Sequence, residues 1–188
     1  MPVEDAVRQR RSVRDFARGA LTLDEISQLL WAGQGITAPE QFRTAPSAGA
    51  LNPLGLMLIA EDVENLEPGV YRYVPETHAL DLVMAGHRLA QLASAALGQG
   101  CVAAGAAALV FFAVYEHTTR KYGQRGVRYV HMEVGHAAQN VHLEAVALGL
   151  GTVMVGAFDD ARVAEVAELS EDEAPLAIIP VGRRLPAR

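Results

Sequence analysis

Cysteine and lysine are almost missing from this sequence. Its 188 residues hold one cysteine, Cys101, so no disulfide can close within the chain, and the composition fits a reducing compartment, expected to be the cytoplasm. Positive charge is also short: the formal net charge is −6, which argues against nucleic acid as a main partner, because phosphate backbones need a basic face. No apolar signal segment follows the polar opening Met1-Pro2-Val3-Glu4-Asp5. The most apolar run, Val102 to Val114, is too short and too rich in small residues to span a bilayer, and it reads as a buried strand with its lead-in. Internal repeats, low-complexity tracts, a P-loop, G-x-S-x-G and G-x-G-x-x-G are all absent, which removes several common nucleotide and hydrolase motifs. The only lysine is Lys121; wherever charge alone suffices the chain uses arginine, so a retained amine marks a position where an amine matters, or else a single surface lysine of no consequence.

The patterning predicts one α+β domain over residues 1–188. A short helix over Glu4–Arg10 turns Ala6 and Val7 inward. Thr22-Leu23-Asp24-Glu25 is a capping box that starts a helix with Ile26, Leu29 and Leu30 on one face, ending near Gly33 and Gly35. Residues 37–53, with Pro39, Pro46, Gly49 and Pro53, form a long loop, and long ordered loops tend to carry function. Strands are expected over Gly55–Ala60, Ala107–Tyr115, Thr152–Val155 and Pro175–Val181, with a hairpin from Val70–Val74 to Leu80–Val83. Arg88–Leu97 and Tyr129–Leu148 are helical, the second with a face of small residues suited to a central or dimer-interface position, and Asp159 caps a further helix through Val166.

Four motifs carry candidate chemistry. Arg10, Arg11, Ser12 and Arg14 form a basic opening whose guanidinium forks and hydroxyl suit a phosphate, and Gly182-Arg183-Arg184 after the last strand would complete an anion site if the two ends converge; the alternative is two solvated patches. Ala45-Pro46-Ser47-Ala48-Gly49-Ala50-Leu51-Asn52-Pro53 lets backbone approach a flat ligand, with Ser47 and Asn52 as polar contacts. At Val155-Gly156-Ala157 a strand ends before a capped helix and leaves backbone N–H groups available. Lys121 and Tyr122 are a candidate acid–base pair, but neighbours on a helix diverge by about 100°, so both reach one site only if Gly123 makes the backbone irregular. Glu133 and His136 have E-x-x-H spacing, yet one such motif without further carboxylates does not build a metal site. Gln139, Asn140, His142 and Glu144 are expected to make interface hydrogen bonds, and Cys101 to sit in the core.

In this order the motifs resemble the nitroreductase superfamily, closest to its SagB-type, azoline-dehydrogenase-like branch, over nearly the whole chain. The blocks are Arg10 to Arg14, Pro46 to Pro53, Gly69-Val70-Tyr71-Arg72-Tyr73, Lys121-Tyr122-Gly123, Glu133 to Asn140 and Gly156 to Asp160. The resemblance implies an α/β/α sandwich around a central mixed, largely antiparallel sheet, and a homodimer with FMN at the subunit interface. By similarity Arg10, Arg11, Ser12 and Arg14 would hold the phosphate and pyrimidine edge, joined by Arg183 or Arg184. Pro46, Ser47, Ala48, Gly49 and Asn52 would line the isoalloxazine, partly from the other subunit. Gly156 and Ala157 would face flavin N5, with Val155 and Gln99 as further contacts. The implied activity is two-electron transfer from NADH or NADPH through FMN to a quinone, nitroaromatic or other small acceptor, by a ping-pong scheme. Two other readings stay open: an azoline-type dehydrogenase using Lys121 and Tyr122, and a flavin-binding module without turnover. The sequence opens almost directly on the arginine motif, so a peptide-docking extension is not expected.

Overall fold

In chain order the elements are α1 (Val3–Gln9), β1 (Phe16–Ala17), α2 (Leu23–Gln34), a 3-10 turn (Ala48–Ala50), β2 (Leu54–Ala60), β3 (Gly69–Val74), β4 (Ala79–Ala85), α3 (Leu89–Ala95), α4 (Gly100–Ala103), β5 (Ala107–Ala113), α5 (Tyr115–Tyr122), α6 (Arg125–Ala147), β6 (Leu150–Thr152), α7 (Asp160–Val166) and β7 (Ala174–Arg184). This computed structural model describes residues 1–38 and 42–186; Pro39 of the predicted loop lies outside them. The strands form one sheet in the order β1-β7-β5-β2-β3-β4, with β6 also paired to β7. Among the described residues every strand ladder is antiparallel, and parallel pairing occurs only at the isolated bridges Ser12–Thr152 and Leu21–Val63.

Central β5, Ala-Ala-Leu-Val-Phe-Phe-Ala, is buried at all seven positions, because helices cover both faces of the sheet. Strand alternation sorts its side chains into two cores. Leu56, Leu58, Leu109, Phe111, Ile179 and Val181 face α2 and α6, which contribute Ile26, Leu29, Val134 and Val141. Met57, Ile59, Val110 and Ile178 face α3 and α7, which contribute Leu92 and Val163. Each such fully buried aliphatic contributes roughly 1.5–3 kcal/mol. The result is the expected three-layer α/β/α sandwich. The capping box forms as read: the Thr22 hydroxyl accepts from the Glu25 N–H at 3.2 Å, and the Glu25 carboxylate accepts from the Thr22 N–H at 2.8 Å.

Several boundaries move. Val7 is 55% exposed and only Ala6 of α1 is buried, because seven residues present too few turns to bury two neighbours about 100° apart. β5 stops at Ala113 and Tyr115 already opens α5: Val114 still donates in register to the Pro53 carbonyl, but proline has no N–H to return the bond, and the ladder ends there. The long helix starts at Arg125, four residues before the apolar periodicity does. Strand pairing in the 150s is centred on Leu150–Thr152, with Val155 making an isolated bridge to Ile178. β7 runs on through Arg184, so the basic tail is itself a strand end.

Candidate functional site

The two basic ends of the sequence meet. After α1, Val13 donates to the Thr152 carbonyl at 2.9 Å, Ser12 bridges Thr152, and Phe16 pairs with Arg184. Arg11 folds back to donate to the carbonyls of Arg8 and Arg10 at 3.0 and 2.8 Å, and its side chain, like those of Ser12 and Arg14, is exposed. The two C-terminal arginines differ. Arg183 donates twice to the Ala20 carbonyl and pairs with Glu25, so it braces the N-terminus of α2 and is not available as a phosphate ligand in this arrangement. Arg184 is exposed, with no hydrogen bond or ion pair among the described residues.

Beneath this end lies His142 of α6, which was expected at an interface. It is buried, and its Nδ1 sits 2.7 Å from Thr152 Oγ1. Burial, with the positive charge of Arg10 behind it, pushes the imidazole pKa down to about 4, so it is neutral at pH 7. Asn140 likewise turns inward and donates to the Thr44 carbonyl at 3.0 Å.

Residues 150–155 track β7 from Arg183 to Ile178, and the chain then turns at Gly156 and Ala157. Six strand steps from Arg184 to Ile178 cover about 20 Å. Gln99 clamps the far end: its Nε2 donates to the Ala157 carbonyl at 2.8 Å and the Ala96 carbonyl at 3.0 Å. Asp159 caps α7 by accepting from the Arg162 N–H at 3.1 Å. Gly156 is exposed, and a methyl group built on it would meet nothing within 4 Å. The chain's own packing gives no reason for a glycine there, which leaves open space beside the exposed peptide.

The Pro46–Asn52 segment is tightly built. Ser47 Oγ accepts from the Asn52 N–H at 2.9 Å, and Gly49, Ala50 and Asn52 all have positive φ, at 66°, 53° and 45°. Lys121 and Tyr122 both reach Gly49: a Cβ there would stand 3.0 Å from Lys121 Nζ and 2.7 Å from Tyr122 Oη. The irregularity that this convergence requires is present, since α5 ends at Tyr122 and Gly123 has φ 55°. Tyr122 also packs edge-on against Tyr129, with ring centroids 5.2 Å apart. On the other side of the turn Glu133 is buried; desolvation raises its carboxyl to about pKa 6, against hydrogen bonds from the Ser47 hydroxyl and the Ala48 N–H. Sequence reasoning weighed Glu133 only as a metal ligand. Among the described residues no group of His, Cys, Asp and Glu is arranged to hold a metal.

Within one chain the two halves of the predicted site stand on different sides of α6. Tyr129, Met132, Glu133 and His136 face the Pro46–Ala48 segment across one groove. His131 and Val134 face Gly156 across another. Sequence reasoning missed the second groove's Tyr115–His131 pair, whose only sequence signal was two titratable residues 16 positions apart.

Comparison with known proteins places this geometry. The chain is 48% identical to a nitroreductase homologue of Methanocaldococcus jannaschii over 97% of its own length and 91% of the homologue. It superposes with TM-score 0.79 and 28% identity on a chain of the Escherichia coli microcin synthetase McbBCD complex solved with truncated pro-MccB17 bound, covering 96% of this chain and 73% of that one. It shares the fold of a nitroreductase homologue from Desulfovibrio desulfuricans solved in complex with FMN, at TM-score 0.68 and 23% identity, covering 100% of this chain and 92% of that one. The nitroreductase family model matches residues 7–183, and the chain belongs to that family.

Proposed function

We propose that this chain is an FMN-dependent oxidoreductase that takes two electrons from NADH or NADPH and passes them to a small organic acceptor such as a quinone, a nitroaromatic or another metabolite, donor and acceptor using one pocket in turn. The observation that carries this reading is the placing of exposed groups at the two ends of one stretch of β7. Exposed Arg14, Ser12 and Arg184 stand at one end, and the open peptide of Gly156 at the other.

The residues present fit FMN by their chemistry. Guanidinium and hydroxyl donors suit a phosphate, and an unobstructed backbone turn suits the edge of a heterocycle. When bound, the flavin supplies the two-electron chemistry. The chain's own part is to hold the phosphate through Arg10, Arg11, Ser12, Arg14 and Arg184, and to present the Val155–Ala157 backbone, held by Gln99. Pro46, Ser47, Ala48, Gly49 and Asn52 would complete the site from a second subunit. Two features support a homodimer: the division of the site by α6, and the exposed face of that helix. At Gly135 a Cβ would meet nothing within 4 Å, although an interior helical glycine costs about 1 kcal/mol relative to alanine. A small residue there suits close approach by another helix. No helix among the described residues is long and apolar enough to cross a membrane. We place the protein in the cytoplasm as a single domain.

The test is the visible spectrum of the purified protein, followed by anaerobic NADH or NADPH. Flavin bands that bleach support the reading. A yellow protein that stays oxidised would favour a flavin-binding module, and a colourless protein that FMN cannot reconstitute overturns both.

One observation favours a second reading, an azoline-type dehydrogenase acting on a peptide heterocycle. Lys121 Nζ and Tyr122 Oη converge on the Gly49 turn, which makes them available to one substrate as donor and acceptor. Lys121→Ala should then keep FMN bound and abolish turnover of an azoline peptide; unchanged turnover removes this alternative.

A further inference from the structure

A nucleophile and a base meet away from the candidate flavin site, in a pocket between α2 and the β3–β4 hairpin. Ser27 Oγ of α2 stands 2.7 Å from His78 Nε2, and His78 Nδ1 stands 2.8 Å from Tyr73 Oη of β3. The His78 and Tyr73 rings also meet edge-on, with centroids 5.7 Å apart. His78 ends the turn Pro75-Glu76-Thr77-His78 with φ 49°, a left-handed conformation that suits glycine or asparagine and strains most other residues. Its two hydrogen bonds and the edge contact hold it there, with the imidazole aimed at the serine.

A hydroxyl within hydrogen-bond reach of a base, itself held from behind by a third group, is the arrangement of an activated nucleophile. Tyr73 is buried, and burial pushes its phenol up to about 12, so the third group stays an uncharged hydroxyl. Both hydroxyls donate or accept, so both bonds persist in either tautomer of the ring. His78 is exposed and trades protons with water, so the form with a lone pair towards Ser27 is always replenished, and a slow reaction draws on it whichever form predominates. Ser27 lies past the first turn of α2, so its own N–H is spent in the helix and is not free for a developing oxyanion. Such donors supply much of the catalysis in hydrolytic sites. The arrangement therefore favours acylation by a donor with a good leaving group over repeated hydrolysis. The pocket has a volume of about 290 Å³, with Leu23, Leu30, Leu66 and Leu80 as apolar walls and Asp24 as the one anionic group lining it.

We propose that Ser27 is a covalent acceptor site for uncharged, activated acyl donors, that is aryl esters or thioesters of short apolar acids, with His78 as its general base. Ser27 Oγ attacks the acyl carbon, and its proton passes to His78 Nε2. The bond to the leaving group breaks with its electron pair on the departing phenolate or thiolate, which takes up the proton from His78 directly or through water. The products are an ester on Ser27 and a free phenol or thiol. The leucine walls seat the acyl chain, and Asp24 repels donors that carry negative charge. None of the residues lining this pocket belongs to the candidate flavin site, so the acylation needs neither flavin nor nicotinamide.

The probe is para-nitrophenyl butyrate, added to the protein as purified, with nitrophenolate release and intact mass followed together and the adduct placed by peptide mapping. A burst of about one nitrophenolate per chain is expected, with the butyryl group on Ser27. Mapping separates this ester from adducts at Cys101, Lys121 or the amino terminus, the other strong nucleophiles of the chain. Ser27→Ala should abolish the burst. His78→Asn, which suits the left-handed turn, should slow it by about a hundredfold. The mono-para-nitrophenyl ester of succinic acid carries a carboxylate at the far end of the acyl chain and should react about fivefold more slowly or worse. Asp24→Asn should bring the two esters together. Acylation that avoids Ser27, or that proceeds at the wild-type rate in His78→Asn, overturns the site. Equal rates for the two esters in the wild type, or an unchanged gap in Asp24→Asn, overturn the choice of uncharged donors.

Discussion

Gly49 and Tyr122 are in such close contact that a single methyl group does not fit between them. A Cβ on Gly49 would lie 2.7 Å from Tyr122 Oη and 3.0 Å from Lys121 Nζ, while φ of 66° already disfavours an L side chain. Gly49→Ala therefore carries a backbone cost of about 1 kcal/mol and displaces two head groups together. The expected outcome is a melting temperature lower by several degrees, with a larger loss in any turnover that uses Lys121 and Tyr122. Near-wild-type stability and turnover would show that the turn yields and that the contact positions nothing.

Local signals made much of this legible in advance. Thr22-Leu23-Asp24-Glu25 specified a capped helix because both reciprocal hydrogen bonds are encoded within four residues. β5 was evident from its uninterrupted apolar run. The basic opening suggested an anion site, but only on the condition that the chain ends converge, and the Phe16–Arg184 pairing that meets this condition spans almost the whole sequence. The choice between Arg183 and Arg184 stayed open for the same reason: the partners of Arg183, Glu25 and Ala20, are more than 150 positions away, and composition does not separate a bracing arginine from a ligand-binding one. The sequence marked His142 as an interface hydrogen-bonding group and Glu133 as half of an E-x-x-H pair. Their burial against Thr152 and the Ser47 turn is set by which helix face packs inward, a tertiary matter.

The contrast between Arg14 and Arg183 separates binding from bracing. Arg14 is exposed, so Arg14→Ala should leave the melting temperature nearly unchanged. If it grips a phosphate, it should weaken FMN by about tenfold or more, since a charge-assisted hydrogen bond is worth roughly 1.5–3 kcal/mol. Arg183→Ala should do the opposite. Losing the Ala20 and Glu25 contacts should cost about 2 kcal/mol, or some 4–8 °C in a domain of this size, with FMN affinity largely kept. Titrations of FMN fluorescence beside thermal melts check both; equal effects in the two variants would contradict the division of roles.

Gln99 tests whether the Gly156 turn is held by the chain itself. Its amide bridges the Ala96 and Ala157 carbonyls, so Gln99→Leu leaves both without this donor while nearly keeping side-chain volume. Stability should fall by about 1 kcal/mol. Backbone amides of residues 156–158 should exchange with deuterium faster, while those of β5 stay protected. Exchange at 156–158 that matches the wild type would mean that Asp159 and the α7 cap hold the turn without Gln99.

Two buried groups oppose each other in acid. His142 has a folded pKa of about 4 against 6.5 in the unfolded chain. Folding excludes its proton, so its stability contribution is complete above pH 6.5 and is lost as pH falls towards 4, by about 2–3 kcal/mol in all. Glu133 is shifted the other way, to about 6 from 4.5. Its contribution is complete below pH 4.5 and is lost as pH rises through 6, by no more than about 1–2 kcal/mol after solvent screening. Between pH 6.5 and 4.5 the two slopes partly cancel. Glu133→Gln keeps an acceptor for the Ser47 hydroxyl and the Ala48 N–H but removes the titration. The variant should be more stable than wild type at pH 7.5, lose that advantage by pH 4.5, and show a steeper acid decline between. Denaturant unfolding of both proteins across this range measures the difference directly. A difference that does not vary with pH would mean that Glu133 titrates alike in the folded and unfolded chains.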